Sequence, residues 1–221
     1  MDIKTAMEER RSIRGYLNKP VEKDTLEQVL QLATRSISAL NAQPWEFAVL
    51  TGDIMKKIGE DNEACFVNGV EEDVEDPPLD GVYRRRMIDI AKQLFAAMDI
   101  KREDKEKRMW WTKRGFRFFD APAAIIIMMD KELDESAHRF DIGAVTQSIT
   151  LAAMEYGLGT CVEQQGVNYQ RGLRKYLDIP ENKRFVIGVA IGYPDPAFPA
   201  NGVVSKREDL SDITSWYGFD D

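Results

Sequence analysis

Histidine is the scarcest chemical resource in this chain: the sequence of 221 residues holds one, His138. Imidazole-based metal centres need two or three such ligands, so the count argues against one, and a Ser-His-Asp hydrolase would have to rest on that single ring. Cysteine is nearly as scarce. Cys65 and Cys161 lie far apart with no partners at metal-binding spacing, which argues against a disulfide framework or structural zinc and fits a reducing compartment. Long apolar runs are also missing. The longest, Ala121 to Met129, contains a proline and is far too short to cross a bilayer. Met1-Asp2-Ile3-Lys4 has no apolar signal region, so the expectation is a cytoplasmic protein with no membrane partner. Cations are outnumbered, 30 Lys and Arg against 38 Asp and Glu, for a net charge of −8. Phosphate backbones select for positive surfaces, so nucleic acid is a poor candidate partner.

What is present is an apolar share of 43%, enough for a real core. No repeat, low-complexity tract or clear linker interrupts the chain. One domain over residues 1–221 is the simplest reading, with a variable excursion or lid at 62–114 and a C-terminal arm at 193–221.

Asp2 is a candidate N-cap for a helix over Ile3 to Arg10, and Asp24 with Glu27 forms a candidate capping box for a second helix. Phe47 to Leu50 reads as a strand, and Gly52-Asp53 starts a short helix. Glu71 to Asp76 reads as solvated acidic surface, ended by Pro77-Pro78. Tyr83 to Met98 has helical periodicity, and the charged run Asp99 to Arg108 reads as a solvated helix face. Ala123 to Met129 is a buried strand. Ile142, Val145, Ile149, Ala152, Ala153 and Tyr156 form one helical stripe, stopped by Gly157. Thr160 to Gln165 and Phe185 to Ile191 are further strands, with a short helix at Tyr169 to Leu177 between them. The fold class is α+β.

Three stretches carry candidate chemistry. Arg10, Arg11 and Arg14, with the Ser12 hydroxyl, make a basic cluster suited to phosphate through forked hydrogen bonds, or a solvated basic turn. Ser38 to Trp45, with Ala39, Asn41 and Gln43, could hydrogen-bond a polar heteroaromatic ring, or be a turn held by its own Asn and Ser with Trp45 in the core. Glu163-Gln164-Gln165-Gly166 could bring backbone N–H groups close to a ligand, or simply be a strand leaving its sheet.

Taken in order, Arg-Arg-Ser-Ile-Arg-x-Tyr and Asn-x-Gln-Pro-Trp resemble the nitroreductase family of FMN-dependent oxidoreductases. The resemblance continues through Phe118-Phe119-Asp120-Ala121-Pro122, Asp141-Ile142-Gly143, Leu151-Ala152-Ala153, Gly157-Leu158-Gly159-Thr160-Cys161 and Gly192-Tyr193-Pro194-Asp195, to Asn201 and Lys206-Arg207. It covers nearly the whole chain, and the nitrobenzoate-reductase-like branch, with its Phe-Phe-x-Ala-Pro segment and long central insertion, is the best match. Ile37 before Ser38 departs from the Pro-Ser of many members and loses their rigid φ.

The resemblance implies a mixed, mostly antiparallel sheet flanked by helices, in an intertwined homodimer whose C-terminal arms are exchanged. It implies FMN at the subunit interface, with NADH or NADPH as electron donor. Arg10, Arg11, Ser12 and Arg14, completed by Lys206 and Arg207, would hold the phosphate and ribityl end. Ser38, Ala39 and Asn41 of the other subunit would line the isoalloxazine ring. Glu163 to Gly166, with Gln164 and Gln165, would pass along that ring with a backbone N–H near N5. The implied reaction is ping-pong hydride transfer through N5 to nitroaromatic, quinone or similar small-molecule acceptors. It requires no side-chain acid or base, so no catalytic residue and no metal ligand is nominated. The chain also lacks a Gly-x-Gly-x-x-Gly opening a βαβ unit, which fits a transient nicotinamide site over the flavin. The competing readings are a dehalogenase or enone reductase using the same FMN, a non-enzymatic flavin-binding redox sensor or carrier, and a scaffold without flavin.

Overall fold

The computed structural model describes residues 1–74 and 78–219. Its central strand is β2 (Ala123–Asp130), the apolar run just discussed. Antiparallel partners β1 (Glu46–Thr51) and β4 (Lys183–Gly192) flank it, and β3 (Gly159–Glu163) lies beyond β4, giving the order β1-β2-β4-β3. A register shift at Ile127/Met128 bends the β2–β4 pair.

Successive strand side chains point to opposite faces, and here helices cover both. Ile125, Ile127 and Met129 pack with Val29 of α2 (Lys23–Ala33) and Ile149 of α6 (Glu135–Glu155). Ala124, Ile126 and Met128 pack with Ile58 of α3 (Gly52–Val67) and Leu173 of α7 (Gln170–Tyr176). That double burial is why β2 reads as a continuous apolar run rather than an alternating one. The α+β class and antiparallel sheet are as expected. The parallel component is an isolated bridge between Ser12 and Thr160.

Helix boundaries follow local chemistry in some places and tertiary packing in others. Asp2 caps α1 (Ile3–Glu9) by accepting from the Thr5 N–H at 3.0 Å. The capping box at Asp24 and Glu27 does not form: Lys23 starts α2, and Glu22 is its N-cap without a side-chain bond. Val21 and Leu26 instead pack in one cluster across the helix start, a hydrophobic staple that sets the entry of the chain. Helix α3 is not short. It runs for 16 residues because Met55, Ile58, Asn62 and Cys65 are all buried along one side.

Helix α4 (Gly81–Ala97) matches its periodicity. The charged run after it is not one helix face: Asp99 has φ +48° and breaks the helix, and Asp104 caps α5 (Lys105–Phe116) by accepting from the Lys107 N–H at 2.9 Å. The acidic run Glu71 to Asp76 is likewise not simply solvated. Glu72 accepts from Asn168 Nδ2 at 2.6 Å and Asp73 from the Gln170 N–H at 2.7 Å, while Glu75 and Asp76 lie outside the described residues.

The strand expected to reach Gln165 ends at Glu163. Gly157, at φ +70°, ends the α6 region as expected. The arm divides into two parts. Its first stretch is anchored, with Asn201 and Ala200 buried. Beyond it, Val204, Leu210, Ile213, Trp216, Tyr217 and Phe219 are exposed, with only the one-turn helix α8 (Leu210–Ile213) among them. No helix among the described residues is long and apolar enough to cross a membrane.

Candidate functional site

The basic stretch runs beside β3. The Ile13 N–H donates to the Thr160 carbonyl at 2.8 Å, and Ser12 bridges Thr160. Gly159 makes this approach possible, because a Cβ there would overlap the Ile13 side chain and the Pro194 ring. From the far end of the chain, Asn201 fixes the backbone of the stretch. Its Oδ1 accepts from the N–H groups of Arg14 (2.8 Å) and Gly15 (3.1 Å), and its Nδ2 donates to the carbonyls of Gly15 (2.7 Å) and Asp195 (2.9 Å).

Arg10, Ser12 and Arg14 share one neighbour, Cys161. Burial pushes its thiol up to about 11, against the opposing pull of Arg14, Ser12 and Arg10. Burial also raises the Tyr16 hydroxyl well above its ordinary value. Arg11 is placed differently. It lines a groove of about 550 Å³ with Glu9, Ile13, and Thr150 and Met154 of α6, a groove that Arg10 also borders.

Arg207 comes near Arg10, whose pKa is lowered first by burial and then by the Arg207 charge. Lys206 and Arg207 are exposed on the arm and line a groove against Tyr83, Arg85 and Arg86 of α4. The guanidinium bonds of Arg14 and Arg207 go to neutral oxygens: Ser12 O for one, Ser205 O, Ser205 Oγ and Lys206 O for the other. Among the described residues, none of Arg10, Arg11, Arg14 and Arg207 has a carboxylate partner, in a chain whose net charge is −8. Guanidinium groups without carboxylate partners can accept an external anion through charge-assisted hydrogen bonds.

The loop at Ser38, Ala39 and Asn41 stands elsewhere. Leu40, Asn41 and Gln43 take left-handed φ values of 51°, 59° and 47°. Among the bonds that hold the loop, Ser38 Oγ accepts from the Gln43 N–H at 3.1 Å, and the buried Asp141 carboxylate accepts from the Ala39 N–H at 3.0 Å. His138 Nδ1 sits 3.0 Å from the other Asp141 oxygen. Trp45 is buried in the core. At about 1.5 Å per residue along α6, Asp141 and Met154 are about 20 Å apart. One chain therefore keeps the Ser38–Asn41 loop, held at Asp141, apart from the groove that Arg10 and Arg11 line beside Met154.

The segment after β3 turns tightly. Glu163 Oε2 accepts from the Gly166 N–H at 2.7 Å, and Val167 N–H donates to the Gln164 carbonyl at 2.8 Å. A Cβ at Gly166 would overlap the Phe118 ring. Glu163 is buried, its Oε1 has no partner, and burial holds its carboxyl well above the ordinary range. The Gln165 side chain lies over Gly115 and donates to the Thr112 carbonyl at 3.3 Å, leaving its backbone as the part that can face a ligand.

In the sequence, Asn201, Asp141 and Asp120 stood only as marks of the family resemblance, with no role of their own, and Arg114 had none. The Pro-Ala-Asn-Gly turn around Asn201 and the Asp-Ile-Gly near the start of the α6 apolar stripe were the available signals.

The chain matches the family model described as "Nitroreductase family" over residues 7–193. It is 32% identical to nitrobenzene nitroreductase of Ectopseudomonas oleovorans, covering 97% of this chain and 96% of that protein. It is 30% identical to chloronitrobenzene nitroreductase of Comamonas testosteroni, over 97% of this chain and 96% of the relative. Among solved structures, the FMN-dependent nitroreductase NfnB from Mycobacterium smegmatis in complex with NADPH superposes with a TM-score of 0.91, at 25% identity and 97% coverage of each chain.

Proposed function

Because this chain belongs to the nitroreductase family, we propose that it is an FMN-dependent oxidoreductase that passes hydride from NADH or NADPH to nitroaromatic, quinone or similar acceptors. When bound, FMN would supply the hydride relay between the nicotinamide and the second substrate, which would share one site in ping-pong order. The residues fit such a group. The observation that carries the reading is that Arg10, Arg11, Arg14 and Arg207 have no carboxylate partner among the described residues, an arrangement that a phosphate would relieve.

In this reading Arg10, Ser12 and Arg207, with Arg11 and Lys206 at the rim, hold the phosphate and ribityl end. Arg14, fixed by Asn201, brings positive charge to the pyrimidine edge of the ring. The Gly166 N–H is engaged by Glu163, so the donor toward N5 falls to the backbone of Gln164 or Gln165. Ser38, Ala39 and Asn41 come from a second copy, because about 20 Å of α6 separates them from the Arg10–Arg11 groove of their own chain. The exposed apolar tail supports the same homodimer, since Trp216, Tyr217 and Phe219 find cover on a partner. The 62–114 segment is the lid of a single functional unit. A reducing, cytoplasmic setting suits the two buried free thiols.

Mixing the FMN-loaded protein anaerobically with NADH and then NADPH, while following flavin absorbance, tests the reading. Rapid bleaching reversed by a nitroaromatic or quinone is the expected result. Bound flavin that stays oxidised with both donors would instead mark a sensor, and a protein that takes up no FMN would remove the assignment altogether.

A further inference from the structure

Between α5 and β2 the chain makes a turn that ordinary residues avoid. Phe118, Phe119 and Asp120 have φ of 55°, 55° and 56°, three consecutive left-handed residues with no glycine among them. Such a conformation persists only where the surroundings over-determine it, and it concentrates at functional sites. Here the surroundings are two arginines on one carboxylate. Arg114 Nε donates to Asp120 Oδ2 at 2.9 Å, and Arg117 Nε donates to Asp120 Oδ1 at 2.9 Å. Arg114 Nη2 also donates to the Phe119 carbonyl at 2.9 Å, and Arg117 is itself held by Glu63. Arg114 is 5% exposed, so Asp120 supplies the only carboxylate among the described residues that neutralises this buried charge.

The turn points its two rings at the stretches already singled out. The Phe119 ring lies 5.8 Å from the Arg14 guanidinium, within cation–π range, and 6.4 Å from Trp111. The buried Phe118 ring fills the space that a Gly166 side chain would occupy. Both rings are therefore carried by left-handed residues of this one turn.

We infer that Asp120 is a positioning residue for the flavin: by clamping this left-handed turn through Arg114 and Arg117, it seats Phe119 against Arg14 and Phe118 under Gly166. The inference rests on the proposed function, in which Arg14 and the Glu163–Gly166 turn face the isoalloxazine ring.

The test is a double-mutant cycle read by FMN dissociation constant and flavin midpoint potential, using the dimeric protein with Asp120→Asn, Arg14→Ala and the pair. Asparagine tolerates left-handed φ, so the substitution removes charge rather than backbone preference. Asp120→Asn is expected to weaken FMN about tenfold and to make the potential more negative, because a displaced Arg14 no longer stabilises the reduced ring. In the Arg14→Ala background it should add less than about twofold. Equal losses in both backgrounds would mean general loosening and overturn the inference, as would no loss beside Arg14 or an Arg14→Ala chain that binds FMN normally. If Asp120→Asn fails to fold, Phe119→Leu decides. It keeps the clamp but removes the ring face under Arg14, and an unchanged potential would overturn the seat. A wild-type chain that binds no FMN would instead sink the proposed function.

Discussion

Four arginines without carboxylates in an acidic protein make the sharpest residue-level expectation. A charge-assisted hydrogen bond is worth about 1.5–3 kcal/mol, so Arg14→Ala should weaken FMN binding by roughly ten- to a hundredfold, measured by flavin fluorescence titration. Arg11 is exposed at the rim of the groove that Arg10 also borders, and Arg11→Ala should cost no more than about 1 kcal/mol in the same titration. Glu163 gives a pH signature. Its folded carboxyl keeps a proton that the unfolded chain releases above its ordinary 4.5, so the native state binds more protons than the unfolded state as pH rises. Stability from this group is therefore fully present below pH 4.5 and declines as pH climbs toward the raised folded value. Glu163→Gln keeps an acceptor for the Gly166 N–H and lacks the titration. Its melting temperature should match wild type near pH 4 and exceed it by a widening margin toward pH 8.

At the level of elements, the approach of the basic stretch to β3 depends on one missing side chain. Gly159→Val should drive Ile13 and Pro194 off the strand, break the Ser12–Thr160 bridge and lower FMN affinity more than it lowers the melting temperature. Elements whose cause is local were legible in the sequence: β2 from its apolar run, the α6 stripe with its glycine stop, and the Asp2 cap. Elements whose cause is distant were not. The α2 start is set by the Val21–Leu26 staple, and the length of α3 by a side chain at Asn62 that reaches the Phe116 and Gly166 carbonyls. The candidate site divides the same way. Its charged residues show in the sequence because arginines in an acidic chain stand out. Its supports do not, because Asn201 meets Gly15 across most of the chain, and Asp120 acts through a backbone conformation that composition never signals.

For the whole molecule, the distal arm is the feature left uncovered by the rest of the chain. Trp216, Tyr217 and Phe219 are 65%, 85% and 72% exposed, with Trp216 and Phe219 packed edge to face at 5.5 Å. If the proposed homodimer covers these rings, replacing all three by alanine should shift the sedimenting mass from dimer to monomer and abolish FMN retention together. The span of α6 has one more consequence, and it is genetic. If each flavin draws its arginines from one chain and its Ser38–Asn41 loop from the other, two defective alleles can rescue each other. An Arg14→Ala chain paired with an Asn41→Ala chain gathers both lesions into one site and leaves the second site whole. At an FMN concentration too low to load either variant, co-refolding the two in equal amounts should restore activity to about one site in four, the share set by random pairing in a two-fold dimer.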